Sequence, residues 1–151
     1  YRAFSHAFAE GEFKNGDSML LVNTSKNLSK DWRISTHIHE YGHRLQKVMP
    51  ELNEHFVALW RERTDKDDIE RLADLLPHIK YDITEITKKD DFPHPYYGKV
   101  YGKSLDDPKP DEMLTMTFEA LLGGRLAQFD ELANKPDFLY FGLAILTRFK
   151  P

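Results

Sequence analysis

Residues 36–43 have the sequence THIHEYGH, which contains the pattern His39-Glu40-x-x-His43. On an α-helix, residues four apart lie one turn above each other, so the two histidines can bind one metal ion. The glutamate between them is placed to act as a base on a metal-bound water molecule. The pattern therefore predicts a helical metal site with hydrolytic chemistry.

The residues around this pattern predict the helix that it needs. Asp31, Ser35 and Thr36 are candidate caps for its start, and Pro50 marks its end. Gly42 lacks a side chain, so another backbone can approach beside the metal. A stripe of apolar residues at helical spacing predicts the face that packs on the core. This stripe consists of Ile34, Ile38, Tyr41, Leu45 and Val48.

A third ligand must come from elsewhere in the chain. His37 lies about 160° around the helix from His39, so helical geometry excludes it. Catalytic zinc normally takes three protein ligands and leaves a position for water. The chain has no cysteine, and the sequence RLQKV after His43 carries no third histidine. The ligand is therefore expected to be an acidic residue or histidine on a later element.

Glu112 and Glu119 are the candidates. They lie on a predicted helix that begins near Pro110, and seven residues place them within about 20° of each other. We favour Glu112 as the ligand and Glu119 as the acceptor that supports a ligand. Exchanged roles stay open, as does the alternative that both carboxylates are simply exposed to solvent.

The remaining patterns predict one α+β domain over residues 1–151, with a small N-terminal sheet, an active-site helix across it and a mainly helical C-terminal part. The strand at 18–23 is either an edge that pairs with an extended substrate or an interior strand. The elements predicted outside the metal site are a short helix within 1–16, a strand at 18–23, helices at 50–63 and 69–76, a strand at 81–87, a tyrosine- and proline-rich cleft wall at 92–110, a helix from 110 ended by Gly123-Gly124, and a closing helix at 136–146.

Composition limits the partners. The net charge is −4 and the chain has no basic tract, which gives no reason to expect a nucleic acid or an anionic membrane as partner. No apolar run is long enough to span a bilayer, and no signal peptide is visible. Together with the lack of cysteine, this favours a cytoplasmic or virion-associated location. The chain begins at Tyr1, as expected of a trimmed chain or a domain of a larger protein or virion assembly.

These motifs resemble the glutamate-liganded zinc peptidases, or gluzincins, including the lethal-factor-like branch with its similar His-Glu-x-Gly-His pattern. The chain more closely resembles uncharacterised zinc-peptidase-like domains of phage and prophage proteins, which are often attached to head-morphogenesis proteins. The segments that carry this resemblance are 36–44, 97–101, 111–116 and 136–138.

The resemblance implies a zincin-like fold, Zn²⁺ held by His39, His43 and Glu112, and Glu40 as the catalytic residue in hydrolysis of a peptide or protein. The chain departs from the lethal-factor pattern at Met116, where a second acid would sit, and Glu119 is the available substitute.

A hydroxyl or imidazole in segment 94–101 is the expected donor to the oxyanion of the reaction. Tyr101 is the first choice, followed by Tyr97 and His94, with aromatic packing as the alternative for all three. Two other readings of the whole chain remain open. One is a catalytically inactive, zinc-stabilised binding or assembly module, for example one associated with a phage head. The other is a helical interaction domain without metal.

Overall fold

The computed structural model describes residues 29–101 and 109–148, together with the backbone of two short strands nearer the N-terminus. The architecture is α+β, as the sequence predicts. The elements are, in chain order, β1 (Ala7–Phe8), β2 (Met19–Leu20), α1 (Lys30–Val48), α2 (Pro50–Thr64), β3 (Ile69–Arg71), α3 (Leu72–Leu75), β4 (Ile86–Lys88), a 3₁₀ turn (Pro95–Gly98), α4 (Glu112–Leu122), α5 (Leu126–Ala133) and α6 (Pro136–Arg148).

Helix α1 begins earlier than the sequence predicts. Ser29 is its N-cap, and the Ser29 hydroxyl accepts a hydrogen bond from the backbone N–H of Trp32 at 3.2 Å. The three predicted caps all lie inside the helix, so that prediction is wrong. The predicted end is confirmed, because α1 stops at Val48 and Pro50 opens α2 in its first turn, where proline needs no hydrogen-bond partner.

The fully buried face of α1 is made of small and polar residues. The predicted apolar stripe is largely exposed: Ile34, Tyr41 and Val48 are 40%, 52% and 57% exposed. The prediction is wrong for these three residues and confirmed for Ile38 and Leu45, which are half-buried and pack against the core. Helix α1 packs chiefly on α4, and its fully buried residues are small or polar, which the hydrophobic pattern does not mark. The buried residues of α1 are Ser35, Thr36, Glu40, Gly42 and Gln46.

Helix α4 is the centre of the core. It contacts α1, α2, α5, α6 and the 3₁₀ turn, and its residues are buried nearly all round. It ends at Leu122 beside Gly123, as predicted, and α6 confirms the closing helix. The side chains around α4 that complete the core include Leu52, Phe56, Trp60, Phe92, Tyr97, Leu132, Phe138 and Ile145.

The segment between α2 and α4 differs most from its predicted structure. A helix was predicted from Ile69, but Ile69–Arg71 forms β3 and only Leu72–Leu75 is helical. The predicted strand at 81–87 is shortened to β4, which pairs antiparallel with β3. Its first half is a turn because the carboxylate of Asp82 accepts hydrogen bonds from the N–H and the hydroxyl of Thr84.

At the N-terminus, β1 and β2 pair antiparallel, with Ala7 opposite Leu20 and Phe8 opposite Met19. The predicted strand at 18–23 is confirmed in its two described residues. The predicted helix within 1–16 is wrong at Ala7–Phe8, and the rest of both predictions lies outside the described residues. Across the helices that the structure describes, none has the length and apolar character needed to cross a membrane.

Candidate metal centre

Helix α1 presents His39 and His43 together. They lie one turn apart on the side that faces α4, with ring centroids 5.1 Å apart and ring planes at 81°. His37 is exposed and its Nδ1 contacts the carbonyl of Arg33, so it takes no part in this group. The two histidines of the sequence pattern are thus the pair that the helix brings together.

Helix α4 supplies the carboxylate that completes the group. Oε2 of Glu112 lies 3.1 Å from Nε2 of His39 and 3.8 Å from Nε2 of His43. One ligand atom from each residue lies within 4.8 Å of the other two. Two ligands of a tetrahedral zinc ion with bonds of about 2.0 Å are separated by about 3.3 Å. The ligand types suit a zinc ion, and the two distances from Glu112 to the histidines lie near this separation.

Glu119 lies two turns after Glu112 and contacts the other nitrogen of the same histidine. Its Oε2 is 2.9 Å from Nδ1 of His39, and its Oε1 accepts hydrogen bonds from Ser35 and Gln128. Glu112 is 1% exposed and Glu119 is 8% exposed, so these carboxylates are not a solvated surface. Glu112 therefore lies on the Nε2 side of His39, together with His43, and Glu119 holds the opposite nitrogen, Nδ1.

His39 and the two carboxylates form a strongly coupled charged group. Burial lowers the pKa of His39, but the hydrogen bonds and charges of Glu112 and Glu119 outweigh it and raise the pKa to about 10. Burial raises the pKa of Glu112, but its contacts with His39, His43 and Tyr101 outweigh that effect and lower the pKa to about 2. The two carboxylates thus stabilise the doubly protonated, positively charged form of His39. The same negative charges favour a bound cation at this position.

His43 has a neutral neighbour instead. Its Nδ1 lies 3.1 Å from Oε1 of Gln46, one turn further along α1. Burial lowers the pKa of His43, the largest effect on it. No sequence motif indicated Gln46, although its spacing of three residues from His43 places both on one face of the helix.

Glu40 lies between the two histidines in the sequence of α1 and is buried, with 5% of its surface exposed. It follows His39 on α1, so the helix that presents the ligands also carries the predicted base. A carboxylate that is shielded from bulk water is the type of group that serves as a general base in a zinc hydrolase.

Gly42 sets how closely the two ligand-bearing helices approach. A Cβ atom at this position would lie 3.0 Å from both Cα and Cγ2 of Thr115 on α4. The prediction that a backbone approaches at this glycine is confirmed. The hydroxyl of Thr115 in turn donates to Oε2 of Glu112 at 3.1 Å.

Of the three candidate donors in segment 94–101, Tyr101 is the one that reaches the site. Its hydroxyl donates a hydrogen bond to Oε1 of Glu112. Burial and the negative charge of Glu112 raise the pKa of Tyr101, which keeps the phenol protonated as a donor. The structure does not bring the other two candidates there. Tyr97 packs in the core, and His94 accepts a hydrogen bond from the backbone at the start of the 3₁₀ turn.

A buried lysine supports Tyr101. Nζ of Lys99 lies 4.3 Å from the centroid of the Tyr101 ring and donates to the hydroxyl of Tyr96 at 3.1 Å. Lys99 also forms an ion pair with Glu85 at 2.9 Å. This arrangement fixes the tyrosines at the wall of the site, and no sequence motif indicated it.

Comparisons with protein-family models, with curated proteins and with solved structures found no match for this chain. The functional interpretation therefore depends on the residues of the site.

Proposed function

We propose that this chain is a zincin-like, glutamate-liganded metallopeptidase domain that hydrolyses peptide bonds with the help of Zn²⁺. The observation that carries this proposal is the convergence of His39, His43 and Glu112. Glu40, the predicted base, is buried on the same helix as the two histidines. Two imidazoles and one carboxylate are a common ligand set for catalytic zinc, and they leave a position for substrate or water.

The protein residues have separate roles in the proposed reaction. His39, His43 and Glu112 would hold the zinc ion, which would supply Lewis-acid chemistry for activating water and polarising the substrate carbonyl. Glu40 removes the proton from the attacking water and transfers it to the leaving amine nitrogen. Tyr101 is the donor that stabilises the developing negative charge on the carbonyl oxygen. Glu119 keeps His39 oriented throughout.

The direct test is the variant Glu40→Gln, with the exposed Glu51→Gln on α2 as the matched control. Each zinc-loaded protein is incubated with a library of proteome-derived peptides, and products are identified by mass spectrometry. We expect cleavage by the wild type and the control, and none by Glu40→Gln, which should still bind one zinc. Cleavage by Glu40→Gln at the wild-type rate would refute the proposed role of Glu40.

One observation favours a second candidate function, a zinc-stabilised binding or assembly module without catalysis. The Tyr101 hydroxyl already donates a hydrogen bond to Glu112. In this conformation it supports a candidate metal ligand and is not free to donate to a substrate. Such a module, for example in a virion, would lose thermal stability with a chelator but would cleave no peptide.

Elemental analysis also separates zinc from iron, which binds to the same ligand set in oxygenases.

A further inference from the structure

The amide of Gln46 is buried between the two ligand-bearing helices. Gln46 is 8% exposed and makes three contacts. Its Oε1 lies 3.1 Å from Nδ1 of His43. Its Nε2 donates to the backbone carbonyl of Asp111 at 2.8 Å and to Oδ1 of Asn53 at 3.3 Å. Asp111 directly precedes the ligand Glu112, so one side chain links α1 to the start of α4.

The neighbours of this amide determine which way round it lies. A backbone carbonyl can only accept a hydrogen bond, so the NH₂ group of Gln46 must face Asp111. Turning the amide over would bring two carbonyl oxygens together and leave buried groups without partners. The oxygen of Gln46 therefore faces His43, and it can only accept. Nδ1 of His43 must carry the hydrogen.

Glu112 competes for that hydrogen from the other side of the ring. Its Oε2 lies 3.8 Å from Nε2 of His43 and would accept a hydrogen from that nitrogen if one were present. In a neutral imidazole, the hydrogen bond made by one ring nitrogen decides the state of the other. The contact with Gln46 is at hydrogen-bonding distance and the contact with Glu112 is longer, so Gln46 decides the tautomer.

We propose that Gln46 is a positioning residue that holds His43 as the Nδ1–H tautomer and so keeps the lone pair of Nε2 free for a metal ion. The tautomer is a property of the metal-free protein, whereas the consequence for metal binding rests on the proposed function. Through its hydrogen bond to Asp111, the same amide also fixes the start of α4. It thereby fixes the position of Glu112 relative to the two histidines.

The tautomer can be read directly by NMR of the zinc-free protein with ¹⁵N-labelled histidine at pH 8. Wild type, Gln46→Met, Gln46→Glu and Asn53→Ala are compared. We expect the Nδ1–H pattern for His43 in the wild type, in Gln46→Glu, which keeps an acceptor, and in Asn53→Ala, which keeps the bond to Asp111. Gln46→Met should shift His43 towards the Nε2–H tautomer. An Nε2–H pattern in the wild type, or no change in Gln46→Met, would overturn the proposal.

Zinc affinity, measured by competition with a chromogenic chelator, tests the consequence for the metal. Loss of a partner behind a ligand histidine typically weakens metal binding about 10–100-fold. We expect this loss in Gln46→Met, a smaller loss in Gln46→Glu and wild-type affinity in Asn53→Ala. Unchanged affinity in Gln46→Met would overturn the metal role of Gln46. A wild type that shows the Nδ1–H pattern but binds no zinc would refute the proposed function while supporting the assigned tautomer.

Discussion

A single methyl group added at Gly42 should separate the two helices that build the candidate metal centre. The new Cβ would lie 3.0 Å from both Cα and Cγ2 of Thr115, so the neighbour must move by a few tenths of an ångström. Replacing glycine by alanine inside a helix stabilises it by about 1 kcal/mol. Overpacking a close contact costs about 1–3 kcal/mol. The overpacking cost should exceed the gain in helix stability by about 1 kcal/mol, which lowers Tm by about 3 °C.

The effect on zinc should be larger than the effect on stability. Zinc–ligand distances tolerate deviations of only about 0.2 Å, so a shift of α1 against α4 spoils the match between the histidines and Glu112. We expect zinc affinity in Gly42→Ala to fall at least about tenfold. Differential scanning calorimetry gives Tm of the zinc-free protein, and chelator competition gives the affinity.

Gly124→Ala is the matched control. Gly124 has a φ of +74° and no atom within 4 Å of an added Cβ, so alanine there costs backbone strain without a clash. That strain is about 1–2 kcal/mol, comparable to the net loss in Gly42→Ala. The Tm of this control should fall, and its zinc affinity should equal that of the wild type. If Gly42→Ala binds zinc as tightly as the control does, the close approach of the two helices does not set the ligand geometry.

Three further predictions follow from the geometry of the centre. Glu119→Gln should weaken zinc binding about 10–100-fold in chelator competition, because His39 loses its anionic acceptor, while the exposed Glu131→Gln should not. His39, whose pKa is about 10 in the metal-free protein, must lose a proton to bind zinc. Zinc binding at pH 7 should therefore release about one proton, measured by calorimetry in buffers of different ionisation enthalpy, and should strengthen about tenfold per pH unit up to about pH 9. Tyr101→Phe should keep zinc and lower peptide hydrolysis about 100-fold or more, the usual cost of losing an oxyanion donor.

Each of these predictions has a distinct contrary result. Wild-type zinc affinity in Glu119→Gln would show that Glu119 does not support His39. Zinc binding without proton release would show that His39 is already neutral at pH 7. Full hydrolysis by Tyr101→Phe would exclude Tyr101 as the oxyanion donor.

The raised pKa of His39 also sets the pH dependence of the metal-free fold. A group whose pKa rises on folding contributes stability that is complete below its unfolded pKa, here about 6.5, and is lost as the pH rises through its folded value. Tm of the zinc-free protein should therefore fall between pH 7 and pH 10. The lowered pKa of Glu112 acts in the opposite direction, and its contribution is lost as the pH falls from about 4.5 towards 2.

The sequence was informative where geometry follows from helical spacing alone. Two histidines four apart and two glutamates seven apart project from regular helices at fixed angles, so their grouping on one face of each helix could be predicted. The close approach at Gly42 could be predicted because glycine lacks a side chain. Spacing cannot say which helices meet, and the structure supplies that fact by packing α1 on α4.

The hydrophobic pattern failed for three of its five residues in α1 because this helix buries polar residues at the candidate site. Ser35, Glu40 and Gln46 are buried, while Ile34 and Tyr41 on the opposite side are exposed. Periodicity assigns the apolar side of a helix to the core, and functional sites are where that rule is broken. The short elements failed for another reason. Strand β3 has three residues and ends where α3 begins, so the stretch is too short for the helical and alternating patterns to be told apart.

The central claim is that His39, His43 and Glu112 hold one zinc ion. Elemental mass spectrometry after dialysis measures zinc per chain in wild type, Glu112→Ala and Glu119→Ala. We expect one zinc in the wild type, none in Glu112→Ala, and one in Glu119→Ala, because a ligand histidine that loses its support still binds. A wild type that holds no zinc after incubation with the metal, or a Glu112→Ala variant that keeps it, would contradict the claim.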